Sequence, residues 1–277
     1  MMARRHGINP WVPNQHGAWP MVMIPALAGS FLGYLGPGTR TTGSLFTLLL
    51  VLVSWFSGYF CFFAGGLLYK VRRRKRREKY LYPTLCYGVV SGVCAVIALL
   101  LQPAVAWWAV IFVPLVGVAM MEMIRDNPRS TLSGVSTTCA SGAMLAVTDA
   151  LGRGGGAPFD ASSVAIASAV IIALYFTGTV PYVKSMIREK GNHRYWIGSV
   201  AFQVLALILS IIVVWWWIPP IPGAVMVLVM AVCVVRAVAI PRSALRGRTW
   251  TPKQVGKVEI PPTVALAIAI LLAGVLN

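Results

Sequence analysis

Acidic residues are almost missing from this sequence. Only seven of its 277 residues are Asp or Glu, and charged residues of both signs make up 11%. A soluble domain is typically about 25% charged and about 45–50% apolar. Here the apolar share is 58% and the mean hydropathy is +0.76. So few charges cannot cover a soluble globule, which excludes a soluble enzyme, a disordered chain and a fibrous protein. Cysteine is also scarce. There are five, with no CxxC pair, so neither a disulfide framework nor a zinc site is expected. Cys61, Cys86, Cys94, Cys139 and Cys233 read as small apolar packing residues. A P-loop, a GxGxxG turn after a strand, HExxH and GxSxG are all missing. The Gly-rich stretch 152–156 has no helix signature behind it and reads as a flexible outer loop rather than a phosphate cradle.

Long apolar runs are plentiful. Crossing a bilayer takes roughly 20 residues, and nine runs qualify, at roughly 19–36, 44–68, 82–101, 104–123, 131–150, 162–182, 196–217, 221–238 and 261–277. The last is short, which leaves eight as an alternative count. Gly36-Pro37-Gly38, Gln102-Pro103 and the Pro219-Pro220-Ile221-Pro222 stretch punctuate them as turns. The expected fold is all-α, a polytopic transmembrane helical bundle of about nine spans. Residues 1–18 form a cytoplasmic N-terminal segment, and 19–277 form one bundle with basic cytoplasmic loops at 69–81, 124–130, 183–195 and 239–260. A cleaved signal peptide is not expected, because Pro20 and Pro25 interrupt the first run. The glycines of that run suit a packed helix, as do Gly88-x-x-x-Gly92 in the third and Gly134, Thr138 and Gly142 in the fifth.

The net charge of +17 has a positional meaning. Under the nine-span reading 22 of the 24 Lys and Arg residues fall on one side, and only Arg40 and Arg153 fall on the other. The positive-inside rule then places the N-terminus in the cytoplasm and the C-terminus outside, in a bacterial cytoplasmic membrane. The run Arg72–Arg77 reads as a contact with anionic lipid, each basic residue contributing about 1 kcal/mol near such a surface. Nucleic acid is not an expected partner. Trp215-Trp216-Trp217 reads as an interfacial aromatic belt.

Chemistry is sought where charge meets the spans. Glu122 and Asp126, four apart on a helix that Pro128 would end, are flanked by Arg125 and Arg129. They could floor a cytoplasm-facing cavity, or form an interfacial salt-bridge cluster. Lys184, Arg188, Glu189 and Asn192 could bind a phosphorylated headgroup, or be an ordinary basic loop. His16, in Pro13-Asn14-Gln15-His16-Gly17-Ala18-Trp19-Pro20, could act as a base or ligand. No cofactor and no bound metal are expected.

The segment Pro13–Pro20 ahead of a Pro-containing span, together with Val183–Asn192, resembles the YwiC-like bacterial membrane proteins. The resemblance runs over most of the chain and implies a membrane protein without specifying a reaction. The helix count, with basic loops after the second and sixth spans, is also similar to the UbiA superfamily of intramembrane prenyltransferases. That resemblance implies two Asp-rich motifs that hold magnesium and a prenyl diphosphate. Here the second motif, D-x-x-D-x-x-G-D, overlays Ser185–Asn192 with only Gly191 kept, and the first would fall on Phe63–Lys70, which has no acid. The expected role is therefore binding of an isoprenoid, phosphorylated or quinone-like lipid in a cytoplasm-facing cavity. An atypical prenyltransferase, a small-molecule transporter and a membrane-complex accessory subunit are the alternatives. Oligomeric state is not legible.

Overall fold

A computed structural model describes residues 9–14, 17–71 and 74–277, with only the backbone of 74–76. The described residues form nine long helices and no strand. They are α1 (Ala18–Leu35), α2 (Thr42–Lys70), α3 (Arg74–Leu101), α4 (Ala109–Ile124), α5 (Thr131–Gly152), α6 (Ser163–Ile187), α7 (His193–Trp217), α8 (Pro220–Leu245) and α9 (Pro252–Val275). Short polar caps start them. Thr41 and Ser44 form a capping box on α2, Thr251 and Gln254 another on α9, and Ser130, Ser162 and Asn192 cap α5, α6 and α7. A 3-10 turn, Pro103–Trp108, leads into α4 where a simple tight turn was expected.

The helices outrun the apolar runs that announce them. The stretch 239–260, expected as one loop, is mostly helix, because α8 continues to Leu245 and α9 begins at Pro252. Likewise α3 starts at Arg74, α6 runs to Ile187 and α7 starts at His193, so the loops at 69–81 and 183–195 shrink. Long cationic side chains can extend from a terminal turn to the interface, so a helix need not stop where its apolar run does. Short connections make neighbouring helices antiparallel, so the chain has two ends, one basic. At the basic end Tyr69 donates to the Ile124 carbonyl at 2.8 Å and Lys184 Nζ reaches Thr131 Oγ1 at 3.0 Å. At the opposite end Arg40 Nε donates to Gly152 O at 3.2 Å and Gln102 Nε2 to Gly154 O at 3.3 Å.

Among the described residues eight helices are long and apolar enough to cross a membrane. The exception is α5, rich in Ser, Thr, Gly and Ala, because it faces protein rather than lipid; fifteen of its 22 residues are buried. It packs against α1, α4 and α6, while α7, α8 and α9 gather around α6 and close onto α1. Gly29 and Gly33 let α1 lie directly on the α5 backbone, where an added Cβ would collide with the carbonyl oxygens of Leu145 and Asp149. Gly142 does the same for α5 against the α6 backbone at Ala169 and Ala173, while Gly134 makes room for the Val180 side chain. The expected Gly88-x-x-x-Gly92 step is half used. Gly88 faces Cys61 of α2, and Gly92 faces open space. The outer loop at 152–156 is packed rather than flexible. The Gly156 and Ala157 amides donate to Asp160 Oδ2 at 2.7 Å, and the Gly156 carbonyl accepts from Trp108 Nε1.

Candidate functional site in the basic half of the bundle

The residues singled out from the sequence gather at the basic end. Glu122 is buried and sits 3.6 Å from the exposed Arg125 guanidinium. Asp126 does not share its helix face, because α4 ends at Ile124 and Asp126 takes a left-handed backbone (φ 57°). It lies instead 4.0 Å from Lys70. Across the gap, Lys184 and Tyr195 both meet the Thr131 hydroxyl, which joins the 6–7 segment to the start of α5. Asn192 donates to Glu189 at 2.9 Å and accepts from the Tyr195 amide. Arg129, Arg188 and Asn192 are exposed. These groups form a rim. His16 lies outside the described residues, as do Arg72 and Arg73 of the lipid-contact run, whose last member, Arg77, is exposed.

A second constellation lies deeper. Arg236 of α8 and Glu259 of α9 form an ion pair at 2.6 Å, their side chains 3% and 17% exposed. The helical rise puts Glu259 about 10 Å and Arg236 about 13 Å inside the basic ends of their helices. The Arg236 guanidinium stacks over the Tyr182 ring at 4.5 Å, a cation–π contact strengthened by burial. The Tyr175 hydroxyl reaches Thr263 Oγ1 at 2.7 Å and the Glu259 carbonyl at 3.3 Å. From α7, Trp196 donates to the Ala237 carbonyl at 2.9 Å, and Gln203 lies against Gly178, on the α6 face shared by Tyr175 and Tyr182.

The pair is only half satisfied. Among the described residues Arg236 Nε and Nη2, Glu259 Oε1, the Tyr182 hydroxyl and both amide atoms of Gln203 have no hydrogen-bond partner. Buried polar atoms without partners each cost about 1–3 kcal/mol. The four on Arg236, Glu259 and Tyr182 belong to one cluster, where such atoms call for a polar partner, water included. Apolar layers enclose it. Towards the basic end Met186, Ile240 and Val255 lie one turn beyond Tyr182, Arg236 and Glu259. On the other side Ile171, Met230, Leu266 and Ile270 belong to the main core. The helix continues here but with fewer internal hydrogen bonds. Pro261 and Pro262 follow Glu259 by two and three positions and remove the amides that would pair with the carbonyls of Lys257 and Val258.

This constellation escaped the sequence reading because Arg236, though inside the run 221–238, was counted with the cations of the basic side, and Glu259 fell in the stretch 239–260 read as a loop. The available signal was Arg236 within an unbroken apolar stretch, 226–240, and an acid directly before Ile260-Pro261-Pro262.

A further buried acid, Asp149, has a different setting. Asp149 Oδ2 accepts from Arg153 Nε at 3.0 Å and from the Ser162 amide at 2.7 Å, while Arg153 also donates to the Pro37 carbonyl. These contacts tie the α1–α2 and α5–α6 connections to the end of α5, away from the basic end. Among the described residues no group of three or more His, Cys, Asp or Glu side chains is placed to hold a metal ion.

The model of the family described as YwiC-like protein matches residues 12–148. A Bacillus subtilis (strain 168) protein described as "Uncharacterized protein YwiC" is 29% identical, over 72% of this chain and 76% of its own. A Haemophilus influenzae protein, described as "Uncharacterized protein", is 25% identical over 95% of this chain and 98% of its own. No solved structure matches, and the UbiA resemblance rests on the sequence features alone.

Proposed function

We propose that this chain, which is similar to the YwiC-like proteins over residues 12–148, is a membrane protein that binds the polar head of a quinone-like isoprenoid lipid among α6, α7, α8 and α9. The observation that carries this is the half-satisfied Arg236–Glu259 pair between two apolar layers. One cation and one anion sum to no net charge. A diphosphate brought there would lack countercharge, and desolvating it would be very costly. A neutral carbonyl-bearing ring fits better. Its oxygens accept from Arg236 Nε and Nη2, the Gln203 amide and the Tyr182 hydroxyl. In the hydroxyl form the same ring donates to Glu259 Oε1. The apolar tail lies along the surrounding helices.

In this reading the basic end faces the cytoplasm of a bacterial cell. Glu122, Arg125, Asp126, Arg129, Lys184, Arg188, Glu189 and Asn192 form the rim where a phosphorylated form of the lipid meets positive charge. Mass spectrometry of the gently purified protein tests the proposal. Wild type is expected to retain about one isoprenoid quinone per chain, and R236M/E259L to retain none. Bulk phospholipid alone in wild type, or equal quinone in the double variant, overturns it.

A specific observation favours a second reading. An occluded polar site lies beside Pro261-Pro262, which weaken the hydrogen bonding of the otherwise continuous α9 near midmembrane, where secondary transporters place their substrate sites. Solute flux in proteoliposomes, abolished by E259Q, would support transport over lipid binding.

A further inference from the structure

We infer that the outward face of α8 at the basic end is a binding site for one anionic phospholipid, with its phosphate held by Arg242, Arg246 and Arg248 and one acyl chain laid along Val235 and Val238. The site is independent of the Arg236–Glu259 pair. On α8 the residues Met226, Met230, Cys233, Arg236, Ala237 and Ile240 are buried towards the bundle. Val235, Ala239, Arg242 and Arg246, spaced at helical intervals, form the opposite, exposed stripe. A groove of about 690 Å³ runs along this stripe, with the valines and Ala239 at one end and Ser243 with the three arginines at the other.

The arrangement matches a lipid in length, polarity and charge. Val235 lies about 16 Å from Arg246 along the helix, which suits the upper part of an acyl chain hanging below a headgroup. Two of the arginines are held in place by aromatic rings. Arg242 lies over Trp196 at 5.9 Å and Arg248 over Trp250 at 4.6 Å. Trp250 is itself fixed by donating to Ser243 Oγ at 2.9 Å. Gly247 turns the chain at φ 94°, in the region that favours glycine, and returns Arg248 towards the end of α8. No Asp or Glu lines the groove. A choline or ethanolamine group therefore finds no counter-anion, while a glycerol-type anionic headgroup meets three guanidinium groups.

The test uses protein delipidated in neutral detergent and titrated with phosphatidylglycerol or phosphatidylcholine, with bound lipid counted by native mass spectrometry. Wild type is expected to bind one phosphatidylglycerol about 10-fold or more tightly than phosphatidylcholine. R242Q/R246Q/R248Q is expected to erase that preference. K190Q/K253Q/K257Q, which removes three exposed charges from the same end, is expected to keep it. V235W is expected to weaken phosphatidylglycerol binding by filling the apolar end, and it decides the matter if the triple arginine variant does not stay monodisperse. The inference fails if the lysine variant loses the preference equally. It also fails if the arginine variant and V235W bind as wild type does, or if millimolar inorganic phosphate displaces the lipid completely.

Discussion

Arg236 and Glu259 are a costly choice at their depth. Each alone would be an uncompensated charge among apolar side chains, and breaking a buried pair from one side typically costs about 3–5 kcal/mol. The two losses are not equal. A carboxylate left without its partner can take up a proton, whereas a guanidinium cannot shed one. E259L is therefore expected to destabilise the bundle by about 3–5 kcal/mol, and R236M by about 1–3 kcal/mol. R236M/E259L is expected to return to within about 1 kcal/mol of wild type, since a well-packed apolar pair of similar volume is often neutral. Unfolding midpoints in detergent check the ranking, and equal losses from the two single variants would contradict it. Residue-scale legibility in the sequence followed exposure. The rim acids and cations stood out because they flank clear span ends, and the structure does set Glu122 beside Arg125 and Glu189 beside Asn192. The deeper pair did not stand out, because a count of cations by side takes Arg236 with the basic end whatever its depth, and Glu259 lay in a stretch read as loop.

The helices owe their arrangement to small residues more than to apolar ones. Most of the chain is apolar on every side, so composition does not tell a lipid-facing surface from a protein-facing one. Glycine contacts do. Gly33 is pressed against Asp149 and Gly152 of α5, and Gly92 faces open space. G33A is expected to cost about 1–3 kcal/mol or more, since neither backbone can yield without moving α1 from the core. G92A is expected to be neutral, or to stabilise by up to about 1 kcal/mol through helix propensity. Thermal unfolding of the two variants side by side separates contact from composition, and equal shifts would show that α1 and α3 are held alike. The same contrast explains α5. Its Ser and Thr residues lower its hydropathy below that of its neighbours, yet Ser136, Thr138, Ser141 and Thr148 are all buried. Thr138 hydrogen-bonds Thr177 of α6 at 2.8 Å, and Ser141 donates to the Met21 carbonyl of α1. Its run was visible in the sequence at 131–150; its central position was not, because that depends on which helices pack around it.

At the scale of the whole molecule, the charge asymmetry and the helix alternation depend on one question, whether α5 crosses from end to end. If it does, the connections at 36–41, 102 and 152–162 share one side, and those at 71–73, 125–130, 188–192 and 246–251 share the other. If it does not, every connection after α5 changes side, and the 22-to-2 division of cations dissolves. The contacts favour crossing. The segments that α5 separates each meet a different set of neighbours: Thr131 touches Lys184 and Tyr195, while Gly152 and Arg153 touch Arg40 and Pro37. A helix of 22 residues spans about 33 Å, the thickness of the hydrocarbon core. Single cysteines introduced into a cysteine-free background convert this into a measurement. Thr39→Cys and Phe159→Cys, both at exposed positions, are expected to react with a membrane-impermeant maleimide in intact cells. Lys190→Cys and Lys253→Cys are expected to react only after the membrane is opened. Labelling of Thr39→Cys without Phe159→Cys would mean that α5 does not cross. The reverse pattern at all four positions would keep the bundle and invert its orientation, against the pull of its basic end towards the cytoplasm.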